Sequence, residues 1–241
     1  MSNVKSRSIQ HNSYSQTHWH QHDMAQLYWL TQGTATIETP DQQWTMTPAS
    51  VGWIPAQLAH KSSVVSDIEA FIIYLPVTHV SSLNSQAKVI ASNTLVSALI
   101  ERIRSFNFKD LTKPQQRLVD VLVDEIASSQ SNNLFLPLPK KDNIRRLAHW
   151  LMSHPDDTRS QNELAAEFAT SPRTLSRVFK SETGINFSAW RQQARLITSL
   201  TLLSQGMSVT STALSCGYAN TSSYITAFKA RFGITPSQYF D

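Results

Sequence analysis

The chain has 241 residues, 41% of them hydrophobic, which is enough for two modest domains with a core in each and no apolar run long enough to cross a bilayer. Its single cysteine, Cys216, excludes an internal disulfide and fits a reducing compartment. The net charge of +4 is uneven: residues 1–139 hold nine Lys/Arg against ten Asp/Glu, whereas residues 140–241 hold twelve against seven, an excess that suits a polyanion partner.

The N-terminal stretch Met1–Gln10 is polar and lacks the apolar core of an export signal, so a cytoplasmic location is expected. From Gln26 to Tyr74 the pattern is strand-like. Gln26–Leu30, Ala35–Glu38, Val51–Ile54 and Phe71–Leu75 are rich in aromatic and β-branched residues, and Gly33, Pro40, Pro48, Gly52 and Pro55 punctuate them. Many short strands with frequent turns predict a β-sandwich or small barrel. Leu95, Leu99 and Ile103, with Val96 and Ile100 beside them, then predict an amphipathic helix. Pro114 opens a second, in which Leu118, Leu122 and Ile126 repeat the spacing. Residues 132–140 contain two prolines and read as a linker, beyond which the chain is predicted to be wholly helical.

An internal repeat at a separation of 49 residues is the most informative feature. Phe179-Lys180 recurs as Phe228-Lys229, Gly184-Ile185 as Gly233-Ile234, Ser188 as Ser237, and aromatic Trp190 as Tyr239. In the first copy, Asn162–Phe168 predicts a short helix and Ala169–Thr170 a turn. Ser171-Pro172 supplies a cap and a first-turn proline for a longer helix that ends at Gly184. In the second copy Val209–Cys216 is the short helix, Gly217 the turn, and Asn220 or Thr221 the cap of a helix ending at Gly233. Each copy is a short helix, a tight turn and a capped helix with a polar outer face, which is helix-turn-helix logic. Ala189–Leu203 predicts a long helix that holds the two copies apart.

At these residues a resemblance becomes specific. Gly217-Tyr218, followed by Phe228-Lys229-x-Arg231-Phe232-Gly233-Ile234-Thr235-Pro236-x-x-Tyr239, resembles the C-terminal signature of the AraC/XylS family of transcription regulators, and Ser171 through Lys180 resembles that family's first unit. The resemblance implies that both recognition helices enter successive major grooves of double-stranded DNA. Arg173, Thr174, Ser176 and Arg177 would face one groove, and Thr221, Ser222, Ser223 and Thr226 the other. Lys180 and Lys229 would contact phosphate, adding affinity without sequence information. Thr226 stands where the family often has a basic residue, which implies weaker base reading by the second copy.

The N-terminal half offers two chemistries. His20-x-His22, Gln26 and Gly33 resemble the first cupin motif, with Gln26 in place of the usual glutamate. Pro48-x-x-x-Gly52-Trp53-Ile54-Pro55-x-x-x-x-His60 resembles the second. On one strand His20 and His22 would share a face, with Gln26 in phase if the strand continued and His60 approaching from a neighbour. Three imidazoles and an amide oxygen suit a divalent first-row metal, or they form a metal-free polar patch. The other chemistry is an organic-effector pocket built from the dense aromatics Trp19, Tyr28, Trp29, Trp44 and Trp53, of which Trp53 is the foremost candidate. His11 and His18 are expected at the surface.

The whole reads as an α+β two-domain chain. A cupin-like β-sandwich sensor over 1–90 is followed by amphipathic connector helices over 91–131, a linker over 132–140 and an all-α double helix-turn-helix domain over 141–241. The expected partners are double-stranded DNA, a small-molecule effector, RNA polymerase and a second copy of the chain, with no membrane. No residue set for nucleophilic catalysis is evident in the C-terminal part. A cupin metal enzyme carrying a DNA-binding module, and a constitutive DNA binder with a vestigial sensor, are the competing readings.

Overall fold

The computed structural model describes residues 4–11, 15–48, 50–64, 67–80, 83, 86–132 and 134–239. The chain divides into two compact units: residues 1–37 with 46–132, and residues 38–45 with 133–241.

The first unit is built on an antiparallel sheet of β1 (Lys5–His11), β3 (Ala25–Gln32), β6 (Ser50–Ile54), β8 (Ile68–Leu75) and β9 (Lys88–Ala91), in the order β1-β8-β3-β6-β9. Strands β2 (Ser15–Gln16), β4 (Ala35–Glu38) and β7 (Lys61–Val64) form a second layer, in which β7 lies between β4 and β2. Period-2 alternation gives the first sheet two different faces. Leu27 and Trp29 of β3, Trp53 of β6 and Phe71 and Ile73 of β8 lie in one continuous core with the helices α1 (Thr94–Arg104) and α2 (Lys113–Ser128). Residues one step out of phase on the same strands line a cavity instead.

Both helices are where the 3.6-residue spacing places them. In α1 the buried residues are Val96, Leu99, Ile100 and Ile103. Leu95, expected in that stripe, is 49% exposed because it falls one position off the buried arc. Asn93 caps α1 by accepting from the Val96 N–H at 2.8 Å. The ammonium of Lys88 closes the other helix, donating to the Ile126 and Ser129 carbonyls at 2.5 and 3.1 Å.

The second unit corrects the expected linker. Asn133 lies outside the described residues, but Leu134, Leu136 and Leu138 are buried, and Phe135–Pro137 forms strand β10, paired with β5 (Gln42–Met46) through Phe135↔Trp44, Leu136↔Gln43 and Pro137↔Gln42. Pro137, its last residue, is compatible with an edge strand and Pro139 lies beyond it, and alternating leucines supply a buried face; proline content alone misled the sequence reading. The indole of Trp190 donates to the Pro137 carbonyl at 2.6 Å, and Leu136 and Leu138 join the core of the helical bundle. The hairpin tip Glu38–Thr45 belongs to this unit too. Arg145 donates to the Glu38 carboxylate at 2.9 Å and to the Pro40 carbonyl at 2.6 Å, and Lys140 pairs with Asp41 at 2.9 Å.

Six helices complete the unit: α3 (Asp142–Ser153), α4 (Gln161–Glu167), α5 (Pro172–Thr183), α6 (Phe187–Ser204), α7 (Val209–Ser215) and α8 (Thr221–Phe232). The repeat is visible in its caps. Ser160, Ser171, Asn186, Ser208 and Asn220 each accept a backbone N–H three residues on, and Gly184 and Gly233 both end their helices in the left-handed conformation. Gly217, at the turn of the second copy, is needed twice over. Its φ is 72°, and a Cβ there would lie 2.7 Å from the Arg195 guanidinium and 2.9 Å from the Pro155 carbonyl.

Candidate ligand cavity and nucleic-acid interface

In the first unit a cavity of about 150 Å³ opens between the two β layers. Alternation selects its walls: Gln26 and Tyr28 from β3, Ile72 and Tyr74 from β8, Arg7 and Ile9 from β1, and Ser62 and Val64 from β7, with Ile37 and Ile54 from β4 and β6. His20, His22 and His60 complete the lining.

The histidines converge by a route other than the expected strand. Only Gln26 lies on a strand. His20 and His60 face each other in an isolated antiparallel bridge, exchanging both backbone hydrogen bonds at 3.0 and 2.8 Å. Direct opposition puts the two rings on one side, with centroids 4.4 Å apart. His22 sits in the turn that follows, its ring 4.9 Å from His20 and 5.4 Å from His60. That turn is held by Gln57, whose backbone N–H donates to the His22 carbonyl at 2.8 Å. The Gln57 side chain accepts from Gln21 at 2.9 Å and donates to Asp23 at 2.8 Å. Gln57 occupies the left-handed region at φ 63°, a strain of about 1 kcal/mol for a residue with a Cβ. Nothing in the sequence marks it.

Hydrogen bonding decides which ring nitrogens face the cavity. Nδ1 of His20 lies 2.8 Å from the His18 carbonyl, and Nδ1 of His60 lies 2.9 Å from the Leu58 carbonyl. A carbonyl only accepts, so each Nδ1 carries the proton and each Nε2 presents a lone pair. One nitrogen from each of the three histidines lies within 4.8 Å of the others. Burial, and the neighbouring His20, push the His22 imidazole below its usual range; burial also lowers His60, the Leu58 carbonyl opposing it. Both effects favour the neutral, ligating form. The donor set therefore fits a divalent metal: three converging imidazoles, two of them oriented by carbonyls, and the oxygen-bearing Gln26, buried at 4% exposure and lining the same cavity.

Trp53 is not part of this site. Its backbone partner is Leu27, so it shares that residue's face and packs in the core with α1 and α2. Trp29 does the same, Trp44 is buried beside β10, and Trp19 is 47% exposed. Of the aromatics singled out, Tyr28 alone reaches the cavity. Burial pushes its phenol up to about 12, so it stays a neutral donor.

In the second unit α5 presents an outer face of Arg173, Ser176, Arg177 and Lys180, all exposed, with Thr174 half-buried, while Leu175, Val178 and Phe179 are buried. Three of these groups have intramolecular partners. Ser171 donates to the Thr174 hydroxyl at 3.0 Å, Gln161 donates to the Ser176 hydroxyl at 2.6 Å, and Lys180 donates to the Gly184 carbonyl at 3.0 Å. On α8, Ser222, Ser223, Thr226 and Lys229 are exposed and Thr221 half-buried, over buried Tyr224 and Phe228. The Thr226 and Ser223 hydroxyls donate back to the Ser222 and Asn220 carbonyls, both at 2.9 Å.

An open cleft of about 300 Å³ on α6 is walled in part by Arg191, Arg195 and Tyr218. Its arginines are spent on structure. Arg195 donates to the Pro155 and Asp157 carbonyls at 2.9 and 2.8 Å, and Arg191 donates to the Arg159 carbonyl at 2.6 Å. The Asp157 carboxylate binds Arg159 at 2.6 Å and the Trp150 indole at 3.0 Å, and these hydrogen bonds hold it well below the usual carboxylate range. Sequence reasoning missed this knot, because its members lie as far as 40 residues apart.

A ligand-sized cavity in a β-rich unit and two copies of a capped helix-turn-helix define a ligand-linked DNA-binding regulator. The comparisons agree. The model of the AraC-like ligand binding domain matches residues 6–167, and a helix-turn-helix domain model matches 164–241. The chain belongs to the AraC family of transcription regulators. It is similar to the HTH-type transcriptional regulator NimR of Escherichia coli K12, 30% identical over 91% of this chain and 81% of NimR. It is also similar to the HTH-type transcriptional regulator RipA of Corynebacterium glutamicum, 26% identical over 89% of this chain and 61% of that protein. ToxT from Vibrio cholerae O395 is a solved structure with 15% identity and a TM-score of 0.42, over 99% of this chain and 97% of that one. No helix among the described residues is long and apolar enough to cross a membrane.

Proposed function

We propose that this regulator is controlled through the His20–His22–Gln26–His60 cavity, which holds a divalent metal. The observation that carries the reading is the convergence of three imidazole nitrogens within 4.8 Å, with two of the rings oriented by backbone carbonyls. A metal-free polar patch needs no such fixed tautomers. DNA is read by Arg173, Thr174, Ser176 and Arg177 on α5 and by Thr221, Ser222, Ser223 and Thr226 on α8, with Lys180 and Lys229 on phosphates. The exposed cationic face of α5 supports this assignment.

The chain acts in the cytoplasm as a regulator and not as an enzyme. Its macromolecular partners are double-stranded DNA and RNA polymerase. Exposed Leu95 and Val121 on α1 and α2 support a homodimer through those helices, which measurement of mass in solution by sedimentation equilibrium checks directly.

Elemental analysis of full-length protein purified without chelators tests the metal. About one equivalent in the wild type and none in the His20→Ala/His60→Ala variant is expected. Equal metal content in both would remove the reading. Selection of duplexes by the full chain, followed by salt titration, tests the interface. Affinity should fall steeply with salt as counterions are released, and no selected duplex at low salt would overturn the assignment.

A further inference from the structure

The cavity has an unbalanced charge once its donor set is considered. His20, His22, His60 and Gln26 are all neutral ligands. Among the described residues no carboxylate lines the cavity, and the one charged side chain there, Arg7, is cationic. The nearby Asp23 carboxylate is exposed and engaged by Gln57 at 2.8 Å. A divalent ion held by these four groups would keep both of its charges in a space lined by apolar Ile37, Ile54 and Ile72 and by neutral Ser62, Tyr28 and Tyr74, with no anion among the described lining residues. Uncompensated charge in a confined cavity is costly, so such a site selects an anion.

A second observation points the same way. Gln26 is 4% exposed, lines the cavity and has no hydrogen-bond partner for its amide among the described residues. An amide that opens on the cavity in this way is available to a ligand atom. Its NH₂ can donate to one oxygen of a bound anion. With about 150 Å³ available, the occupant is a molecule of a few heavy atoms.

We propose that the effector of this cavity is a small carboxylate, whose charge completes a divalent-metal site that Gln26 leaves neutral and whose free oxygen pairs with the Gln26 amide. The inference rests on the metal reading above. It makes metal and carboxylate mutually dependent ligands: each tightens the other by the same factor.

The test uses the full chain loaded with Co²⁺, whose visible d–d absorption reports its coordination. Acetate, propionate and butyrate are titrated against their neutral amides. The carboxylates should shift the d–d bands and slow Co²⁺ loss to a chelator at least tenfold, and the amides should do neither. Gln26→Glu supplies the missing charge from the protein. It should hold Co²⁺ more tightly and lose the carboxylate response at least tenfold. Co²⁺ uptake with carboxylates and amides acting alike would overturn the carboxylate and leave the metal reading standing. Equal affinity of the same carboxylates for metal-free protein would also overturn it. No Co²⁺ uptake by the wild type would remove both. Should Gln26→Glu fail to fold, the carboxylate-against-amide comparison on the wild type still decides.

Discussion

The two helix-turn-helix copies share a scaffold and differ in what they show to solvent. Both begin their second helix with a side-chain cap, Ser171 or Asn220, and both end it at a left-handed glycine, Gly184 or Gly233. Both bury aromatic residues, Phe179 in one and Tyr224 and Phe228 in the other. Outside, α5 carries two arginines and a lysine, whereas α8 carries hydroxyls and Lys229. Buried and capping positions keep a supersecondary unit, while exposed positions are free to diverge, so copies of one scaffold come to contribute unequally to recognition. The loop between α3 and α4 sharpens the contrast. Held by Arg191 and Arg195 of α6, it also abuts Gly217, so the turn of the second copy packs against this knot.

The largest expected effect comes from untying that knot. Asp157→Asn leaves the guanidinium groups of Arg159 and Arg191 without their carboxylate and should cost about 3 kcal/mol in denaturant unfolding. The pH dependence follows from the same group. The folded carboxyl lies below its unfolded value, so its contribution is complete above the ordinary carboxylate range and is lost as pH falls toward the folded value. Acid melts of wild type and Asp157→Asn should therefore begin to converge below about pH 4 and meet only well below it. Parallel curves would assign the knot to packing alone.

Next comes the turn glycine. Gly217→Ala adds a Cβ 2.7 Å from Arg195 to the left-handed strain, and it should cost about 2–3 kcal/mol. Gly184→Ala meets no heavy atom within 4 Å, so it should cost only the strain, about 1 kcal/mol. Equal thermal shifts would mean that the knot gives way around the second copy.

Recognition should divide just as unequally. Arg177→Ala should weaken binding to a selected duplex by about 1–3 kcal/mol and relax the base preference beneath α5. Lys180→Ala should weaken every duplex alike and reduce the salt slope by about one. Smallest of all is Thr226→Ala, expected to change binding by a few tenths of a kcal/mol, since its hydroxyl is already bonded to the Ser222 carbonyl. A loss at Thr226 equal to that at Arg177, measured on the same duplex, would break the comparison between the copies.

Legibility along the chain followed the range of the interactions. The helices α4 to α8 could be read nearly to the residue, because caps, first-turn prolines and terminal glycines act within a few positions. The linker was misread because its strand pairing with β5 and its burial under Trp190 depend on residues about 50 to 90 positions away. In the cavity, His20, His22 and His60 were selected by motif and do converge, and Gln26 lines the same space, yet the assumed strand was wrong. The bridge to His60 and the Gln57 clamp bring them together. Trp53 was placed on the wrong side of the sheet. Composition counts aromatics but carries no register, and a shift of one residue exchanges cavity for core.

Residue order alone therefore settles that there are two helix-turn-helix copies, where their helices start and stop, and which residue types are available to ligate a metal. Those features are written in neighbours a few positions apart. Tertiary structure alone decides that His20 faces His60 and that Trp53 turns from the cavity. It also decides that Gln26 opens its amide on the cavity, and that residues 134–138 form part of a folded unit. Each of these depends on strand pairing and close packing across long separations, where the energy of a side chain is set by whatever the folded chain brings against it.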